Sequence, residues 1–259
     1  MTMNVLITAG GVPREGEYLY QQTTGKPKAL LDIHGKTMIQ WVLDAVSGSK
    51  QVDEVFIVGL SADTKLVSRK KIHYIPDQND ALANVIAGTD ALVKHDPRTN
   101  LFLMVSSDIP ALTTRMVDWV IDQANQADVD IQYFVIRRQD MEKRYPESRR
   151  TFTRFQDAEL CSADIFLLKA DKVLNPDSRW GDLLNARKSP LKQAAIIGFD
   201  TLFLMLVRRI TLQKAVKTIL KRLKLTGRVA FTPYPEMGMD VDKDFQLEIV
   251  RKDLARERK

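Results

Sequence analysis

The sequence predicts an α/β fold in which a mainly parallel β-sheet is covered by helices on both faces. The first observation is a series of short β-branched or apolar runs, which are typical of buried parallel strands. The second is that amphipathic helical stretches lie between these runs, as in consecutive βαβ units. The third is the length of 259 residues, of which 44% are apolar and 28% charged. These values suit a chain with one large core, so we expect a single domain over residues 1–259.

The first half of the chain contains the regular part of this pattern. Strands are predicted at 4–8, 54–59, 72–75 and 100–107, and helices at 37–47, 81–95 and 113–125. In the first of these helices, Met38, Trp41, Val42 and Ala45 lie on one face, as the helical period requires. Parallel sheets of this kind bind ligands at the carboxyl ends of their strands. We therefore expect the functional site at that edge.

The second half predicts a mixed extension of the sheet and a helical segment. Alternating runs predict strands at 130–138, 150–156 and 163–169, a helical region at 170–224 and a further strand at 227–234. The apolar stretch 194–207 is shorter than the about 20 residues that a membrane span requires. We expect a buried helical pair there.

Charge and the content of cysteine and histidine narrow the function classes. The net charge of +6 lies largely in 208–224 and 251–259. Neither segment has the interleaved aromatic residues of a base-stacking surface, so we expect no nucleic-acid partner. The single cysteine excludes an internal disulfide, and His34, His73 and His95 match no metal-ligand spacing. The amino terminus lacks the features of a secretory signal, so we expect a cytoplasmic protein.

A glycine pair follows the first predicted strand, and basic residues follow the glycines. Gly10 and Gly11 precede Arg14, Lys26 and Lys28. Glycine lets backbone N–H groups approach an anion closely, so this pattern predicts a phosphate-binding loop, with a simple tight turn as the alternative. The sequence contains no Walker loop, no Rossmann G-x-G-x-x-G motif and no serine nucleophile elbow.

Acidic residues follow two other predicted strands. Asp108 comes directly after the strand at 100–107, and Asp240 and Asp242 lie between the strand at 227–234 and the final helix. The alternative for each carboxylate alone is a helix N-cap. Carboxylates at strand ends, opposite a phosphate-binding loop, supply the hard oxygen ligands that Mg²⁺ prefers. Together the three motifs predict a magnesium site.

These motifs carry a family resemblance. In chain order they are AGG at 9–11, Arg14, PKALLDIHGK at 27–36, SSDIP at 106–110 and GMDVDKDFQLEI at 238–249. The set resembles the nucleotidyltransferases of the molybdenum-cofactor guanylyltransferase-like group, which are related to sugar-phosphate nucleotidyltransferases. The resemblance covers residues 4 to about 169 and 227 to 250.

The resemblance implies a fold, a reaction and a set of site residues. The fold is a three-layer α/β/α, Rossmann-like or GT-A type. The reaction transfers an NMP group from a nucleoside triphosphate to a phosphorylated small-molecule acceptor and releases pyrophosphate. The implied residues are Ala9, Gly10 and Gly11 for the triphosphate, Arg14 and Lys28 for its charge, Asp108 with Asp242 or Asp240 for Mg²⁺, and Gln78 and Asp80 for the base.

Four segments depart from the family pattern. Residues 15–26 lengthen the first loop, and we expect a lid over the phosphates there. Residues 77–84 lack the glycines that are common in the base-binding stretch, and 162–164 differ from the family where the acceptor is contacted. The helical region at 170–224 has no counterpart in compact members, and we expect a specificity insertion.

Two other functions stay open on the sequence. A glycosyltransferase of similar fold would also use a strand-end acidic motif and a metal, but with a nucleotide sugar, whereas the glycine and basic loop suits a triphosphate. The other is a non-catalytic nucleotide-binding or membrane-surface protein, because 212–225 predicts a cationic amphipathic helix. A helix packed on the core with a basic solvent face is the simpler interpretation of that segment.

Overall fold

The strands of the protein form one large sheet and one small one. A computed structural model describes residues 2–124, 128–175 and 198–256 of the chain. The strands there are β1 (Met3–Thr8), β2 (Asp32–Ile33), β3 (Lys36–Thr37), β4 (Val52–Val58), β5 (Ile72–Ile75), β6 (Leu101–Ser106), β7 (Ile131–Arg137), β8 (Thr153–Arg154), β9 (Glu159–Lys169) and β10 (Gly227–Phe231). The large sheet has the order β10-β7-β9-β6-β1-β4-β5, with β8 paired to β9, while β2 pairs only with β3.

The pairing within the large sheet matches the predicted parallel core with a mixed extension. Strands β6, β1, β4 and β5 are mutually parallel, and β10 is parallel to β7. Strand β9 lies between β6 and β7 and is antiparallel to both. The predicted strand at 150–156 is too long, because only Thr153–Arg154 pairs with β9. Phe155 is buried and Phe152 half-buried, while Thr153 and Arg154 are exposed, so the alternation reflects a segment that turns its aromatic side chains to the protein.

Helices cover both faces of the large sheet. The helices of the described residues are α1 (Tyr20–Thr23), α2 (Met38–Gly48), α3 (Ala81–His95), α4 (Thr114–Ala124), α5 (Arg138–Arg144), α6 (Ala170–Leu174), α7 (Phe199–Leu206), α8 (Leu212–Leu223) and α9 (Asp244–Arg256). Alternate residues of β1 face opposite layers: Val5 and Ile7 belong to the core with α2 and α4, and Leu6 to the core with α3. The predicted α/β class is therefore confirmed.

The structure describes part of the segment 170–224, namely 170–175 and 198–224. Helix α8 contacts β10 and α7, and its Ala215 and Leu223 are buried. This packing agrees with an amphipathic helix that turns a basic face to solvent. Among the described residues, no helix has both the length and the apolar character needed to cross a membrane.

The apolar stretch 194–207 does not form the buried helical pair that its composition predicts. Residues 194–197 lie outside the described residues, and the remainder forms α7. Phe199, Phe203 and Leu206 are exposed, while Thr201 is the buried residue of this helix. The prediction is wrong for these residues because α7 presents its large apolar side chains to solvent.

Candidate active site

The candidate site lies where the carboxyl ends of three neighbouring parallel strands meet. Strand β1 leads into Ala9, Gly10 and Gly11, and β6 leads into Asp108. Backbone hydrogen bonds continue past the strand ends: the Ala9 N–H donates to the Val58 carbonyl at 2.8 Å, and the Ser107 N–H to the Thr8 carbonyl at 3.1 Å. These bonds fix the first residues of each loop side by side.

Lys28 joins the glycine loop to the acidic residues. Its backbone N–H donates to the Gly11 carbonyl at 2.9 Å, and its side chain passes over Gly11, where a built Cβ would lie 3.5 Å from Lys28 Cε. Its Nζ then lies 2.6 Å from Asp108 Oδ2 and 2.5 Å from Asp242 Oδ1. One ammonium group therefore bridges two carboxylates that are remote in sequence.

The electrostatics of this contact favour the charged lysine. Burial alone would lower the pKa of Lys28, but the charges of Asp108 and Asp242, and the hydrogen bonds to them, raise that pKa well above its usual value. Asp108 is buried and also accepts a hydrogen bond from the Ser106 hydroxyl, whereas the side chain of Asp242 is about half exposed. The site is therefore closed at Asp108 and open to solvent at Asp242.

Two further contacts position the segment around Asp242. The Val241 N–H donates to the Asp108 carbonyl at 2.9 Å, so Asp242 is placed beside Asp108 by the backbone. Gln22 Nε2 donates to Asp244 Oδ1 at 2.7 Å, which connects the long loop at 15–26 to the start of α9. The predicted lid segment thus contacts the protein next to the two carboxylates.

The carboxylates of Asp108 and Asp242 fit a divalent cation. They converge on one cationic centre in the structure, and they supply hard oxygen ligands from two separate loops. A site that provides one or two carboxylates, and leaves the other positions to water and substrate phosphates, is the arrangement that Mg²⁺ requires.

Gly10 packs against the loop that precedes α3. A Cβ built on Gly10 would lie 2.6 Å from Asp77 Oδ1 and 2.9 Å from Asn84 Nδ2. Asn84 is buried, donates to Asp77 Oδ1 at 2.7 Å and accepts from the Gln78 N–H at 2.7 Å. Gly59 adopts φ +101 at the end of β4, and its built Cβ would lie 2.3 Å from the Gly10 nitrogen. Only glycines allow these chain segments to approach so closely.

The remaining residues of the predicted nucleotide site are exposed and make local hydrogen bonds. Arg14 is exposed, and its backbone N–H donates to Glu17 Oε2 at 2.9 Å. Gln78 is exposed, and its side chain donates to the Pro76 carbonyl at 2.8 Å. Asp80 is the N-cap of α3 and accepts from the Ala83 N–H at 2.9 Å. This hydrogen bond gives Asp80 a structural role, and we leave it out of the proposed site.

Asp240 and Asp242 point to different partners, although two positions separate them. Asp242 contacts Lys28, whereas Asp240 forms an ion pair with Arg150, whose other terminal nitrogen lies 3.9 Å from Asp164 Oδ2. The side chains of Arg150 and Asp240 are largely buried. The geometry therefore places Asp242, and not Asp240, in the carboxylate pair with Asp108.

An arginine-rich cleft lies beside this ion pair. Its volume is about 360 Å³. The residues that line it are Arg138, Glu142, Pro146, Ser148, Arg149, Arg150, Thr151, Phe152 and Arg154. Four of these nine residues are arginines; Arg138 and Arg154 pair with Glu159 at the side of the cleft, and Arg150 pairs with Asp240. Arg150 lines the cleft and also binds Asp240, which is two positions from Asp242 in the chain.

Sequence reasoning missed several of these residues. Ser106, Asp77 and Asn84 support the strand-end loops, and Arg150 pairs with Asp240. The signal for Asn84 is a polar residue on the apolar face of the predicted helix 81–95. No comparable signal marks Arg150, because the segment around it resembles a strand.

Comparison with known proteins places the chain in a family. The model of the MobA-like NTP transferase domain matches residues 5–224, a range that includes the segment 170–224. A hypothetical transferase from Thermus thermophilus is 26% identical with a TM-score of 0.81, and the match covers 95% of this chain and 100% of that one.

Two solved nucleotidyltransferases share the fold at lower identity. The CMP:2-keto-3-deoxy-manno-octonic acid synthetase, solved with CTP, is 18% identical with a TM-score of 0.58, and the match covers 99% of this chain and 100% of that one. The 4-diphosphocytidyl-2C-methyl-D-erythritol synthase of Anaerococcus prevotii DSM 20548 is 12% identical with a TM-score of 0.58, and the match covers 98% and 96%. The family match confirms the resemblance and selects the nucleotidyltransferase over the glycosyltransferase and the non-catalytic alternatives. The chain belongs to the MobA-like NTP transferase domain family and is a nucleotidyltransferase.

Proposed function

We propose that the protein transfers an NMP group from a nucleoside triphosphate to an anionic, phosphorylated small molecule and releases pyrophosphate, with Mg²⁺ as its metal. The observation that carries the proposal is the position of Lys28. Its ammonium contacts Asp108 and Asp242, and its side chain passes over Gly11. Cationic, acidic and backbone donor groups therefore meet at one strand edge.

The glycine loop and its basic residues are the proposed triphosphate site. At the end of β1, Gly10 is half-buried and Gly11 exposed, and backbone N–H groups in such loops form anion-binding concavities. Lys28 lies directly beside the loop, and the exposed Arg14 lies in the following segment. An arginine offers a bidentate fork and a lysine a point charge, so we assign them separate contacts with the phosphates.

Asp108 and Asp242 are the proposed ligands of Mg²⁺. When bound, the ion neutralises charge on the phosphates and orients them for in-line displacement. Asp108 is fixed by Ser106 and by the loop of Val241, so it is held in place before substrates arrive. The side chain of Asp242 is about half exposed, so we expect substrates to approach the ion from this side.

The reaction needs positioning and charge neutralisation more than covalent help from the protein. An acceptor phosphate oxygen forms a bond to the α-phosphorus, and the bond from the α-phosphorus to the bridging oxygen of the β-phosphate breaks. Pyrophosphate leaves with that electron pair. The attacking phosphate oxygen is already ionised at neutral pH, so no general base is required. Lys28 and Arg14 stabilise the charge that develops on pyrophosphate.

The arginine-rich cleft is the proposed acceptor site. Arg149 and Arg154 are exposed at its wall, and Arg150 connects it to Asp240, two residues from the proposed metal ligand Asp242. Guanidinium groups bind phosphate and carboxylate oxygens bidentately. The phosphorylated acceptor is therefore expected to bind there.

The donor can be identified by ligand-induced stabilisation. Each of the four nucleoside triphosphates is added with Mg²⁺, and the thermal midpoint is measured. A donor at a hundred times its dissociation constant should add about 2.7 kcal/mol to the free energy of unfolding. CTP is the first candidate, because one structural neighbour was solved with it. Absence of any Mg²⁺-dependent response to the four nucleotides contradicts the proposal.

The reaction is tested by product analysis on the Asp108→Asn variant and a control. With the responding nucleotide and a panel of phosphorylated sugars and other phosphorylated small molecules, wild-type protein should release pyrophosphate. Asp108→Asn should keep the fold and lose Mg²⁺-dependent turnover by about 10²-fold or more. Asp90→Asn removes a surface carboxylate that pairs with Lys94 on α3, and should keep full activity. Release of a nucleoside diphosphate, or unchanged turnover in Asp108→Asn, overturns the proposal.

A further inference from the structure

Three metal-ligating side chains from three elements converge on one point. Glu54 lies on β4, His73 on β5 and His95 at the end of α3. Nε2 of His95 lies 3.0 Å from Glu54 Oε2, and Nε2 of His73 contacts the same oxygen. One ligand atom from each residue lies within 4.8 Å of the other two. Among the described residues this is the cluster of three such groups that could share an ion.

The position of the cluster separates it from the nucleotidyl-transfer site. Glu54 is near the amino end of β4 and His73 near the amino end of β5. His95 is the last residue of α3, whose first turn lies beside Gly10 at the opposite edge. Strands β4 and β5 are parallel, and their carboxyl ends lie on the same side of the sheet as Gly10 and Asp108. The cluster lies at the opposite ends of the strands, where β4 and β5 begin.

Packing orients the two imidazole rings. Phe56 pairs with His73 in the register of β4 and β5, and the rings stack with centroids 4.4 Å apart and planes 10° apart. The centroid of the His95 ring lies 4.5 Å from that of His73 and 5.7 Å from that of Phe56. The rings are therefore supported by an apolar wall on one side, while both Nε2 atoms face Glu54.

The dimensions suit a tetrahedral transition-metal ion. Zn²⁺ binds imidazole nitrogen at about 2.0–2.1 Å and carboxylate oxygen at about 2.0–2.2 Å, which separates tetrahedral ligand atoms by about 3.4 Å. In the structure the Nε2 atoms of His73 and His95 lie closer than this to Glu54 Oε2. The side chains must therefore move slightly apart to admit an ion. The side chains of Glu54, His73 and His95 are 24%, 24% and 36% exposed, which leaves a water-accessible fourth position.

We propose that Glu54, His73 and His95 form a binding site for Zn²⁺ or a similar transition-metal ion, with water as the fourth ligand. Two imidazoles and one carboxylate select such ions over Mg²⁺ and Ca²⁺, which prefer all-oxygen ligands. The bound ion would connect β4, β5 and the end of α3, and so stabilise this edge of the sheet. Lys71 lies 4.0 Å from Glu54 Oε2, but its side chain is mostly exposed and can turn into solvent. The proposal does not depend on the transfer reaction.

Cobalt binding tests the site directly. The full chain is stripped of metal with EDTA and titrated with Co²⁺ in excess Mg²⁺, and the visible absorption of tetrahedral Co²⁺ is followed. We expect one equivalent to bind, Zn²⁺ to displace it, and Zn²⁺ to raise the thermal midpoint. Absence of a tetrahedral Co²⁺ spectrum, together with no thermal response to Zn²⁺, overturns the proposal and leaves a hydrogen-bonded triad.

Single-residue variants test whether His73 and His95 bind the ion. His73→Gln and His95→Gln should each weaken Co²⁺ binding at least tenfold, and circular dichroism checks that they fold. His95 is the more exposed of the two and keeps the test valid should His73→Gln fail to fold. The control is His34→Gln, since His34 contacts the Arg251 carbonyl elsewhere and should not matter. Binding that survives in His95→Gln, or is lost in Asp108→Asn, overturns the assignment.

Discussion

Lys28 and Asp108 are 80 positions apart in the chain, and their side chains meet with an Nζ–Oδ2 distance of 2.6 Å. The same ammonium lies 2.5 Å from Asp242 Oδ1. In the structure the single positive charge of this lysine lies between two carboxylates that we propose as ligands of a divalent ion. The folding stability of this end of the sheet should therefore depend on whether a cation lies between the two carboxylates.

Replacement of Lys28 by methionine tests that coupling. Without the ammonium, Asp108 and Asp242 face each other with no cation between them, so Lys28→Met should lose about 1–3 kcal/mol of unfolding free energy in EDTA. Mg²⁺ should restore much of this loss, because it would bind between the carboxylates. Thermal or urea denaturation with and without MgCl₂ measures both effects.

The control for this variant is Lys36→Met. Lys36 pairs with Asp44 at 2.5 Å on the surface, so its loss should cost at most about 1 kcal/mol and give no added response to Mg²⁺. Failure of Mg²⁺ to restore any of the stability lost in Lys28→Met would show that the two carboxylates do not share an ion.

The two glycines of the loop are expected to respond differently to alanine. A Cβ on Gly10 would lie 2.6 Å from Asp77 Oδ1, an atom that hydrogen bonds from Asn84 and Asn79 hold in place. A Cβ on Gly11 would meet nothing closer than Lys28 Cε at 3.5 Å, which is an ordinary contact. Gly10→Ala should therefore displace the loop at 77–84 and raise the KM for the nucleotide about tenfold, equivalent to about 1.4 kcal/mol.

Steady-state kinetics on both alanine variants measure this difference. Gly11→Ala is the matched comparison: its Cβ would meet only the Lys28 side chain at an ordinary distance, so its nucleotide KM should rise less than that of Gly10→Ala. Equal KM values for the two variants would mean that the contact of Gly10 with Asp77 has no part in nucleotide binding.

Much of the fold follows from the sequence because the central strands β1, β4 and β6 are largely buried on both faces. The strand at 72–75 and the helix at 81–95 have the bounds that the pattern predicts. The position of β9 between β6 and β7 does not follow from a local pattern, because it depends on which edges pair after the chain reverses. Exposure of Phe199 and Phe203 was likewise not predictable, since apolar composition alone suggests burial.

The candidate site was predictable only in part. Asp108 and the glycine pair follow from the rule that parallel strands place ligands at their carboxyl ends, and Lys28 follows from the basic residues after the glycines. The choice between Asp240 and Asp242 depends on Arg150, which is remote in sequence and carries no motif. His73 and His95 meet because of the register of β5 on β4 and the length of α3, and no local spacing contains that information.

The arginine-rich cleft predicts a separation of donor and acceptor effects. Arg149 and Arg154 are exposed at its wall, so replacing both by glutamine should leave the fold intact. The KM for an anionic acceptor should rise about tenfold or more, equivalent to at least about 1.4 kcal/mol, while the KM for the nucleotide stays unchanged. Initial rates at varied acceptor and fixed nucleotide measure the effect.

The control for the cleft variant is Arg98→Gln. Arg98 is exposed and pairs with Asp96 in the connection between α3 and β6, outside the residues that line the cleft. It removes a positive charge without altering the cleft, so both KM values should stay the same. An acceptor KM that rises equally in Arg98→Gln would indicate a general effect of net charge.

A buried tyrosine predicts how stability changes in alkaline solution. The Tyr145 hydroxyl donates to Asp253 Oδ2 at 2.7 Å, and Arg144 binds both Asp253 and Glu236 at 2.7 Å. Burial, the hydrogen bond to Asp253 and the nearby carboxylates raise the pKa of Tyr145 far above its usual value. The phenol therefore stays protonated in the folded state when it ionises in the unfolded one.

Tyr145→Phe should consequently lose less stability than wild type as the pH rises. Below pH 10, loss of the hydrogen bond leaves the buried Asp253 with one donor fewer and should cost about 1–3 kcal/mol. Above the unfolded-state pKa of about 10, the wild-type protein loses up to about 1.4 kcal/mol per pH unit through this residue, and the variant does not. The gap in unfolding free energy should therefore shrink between about pH 10 and 11.5 in urea titrations. A gap that stays constant with pH would mean that Tyr145 ionises equally in the folded and unfolded states. Burial and the hydrogen bond to Asp253 would then not raise its pKa in the folded protein.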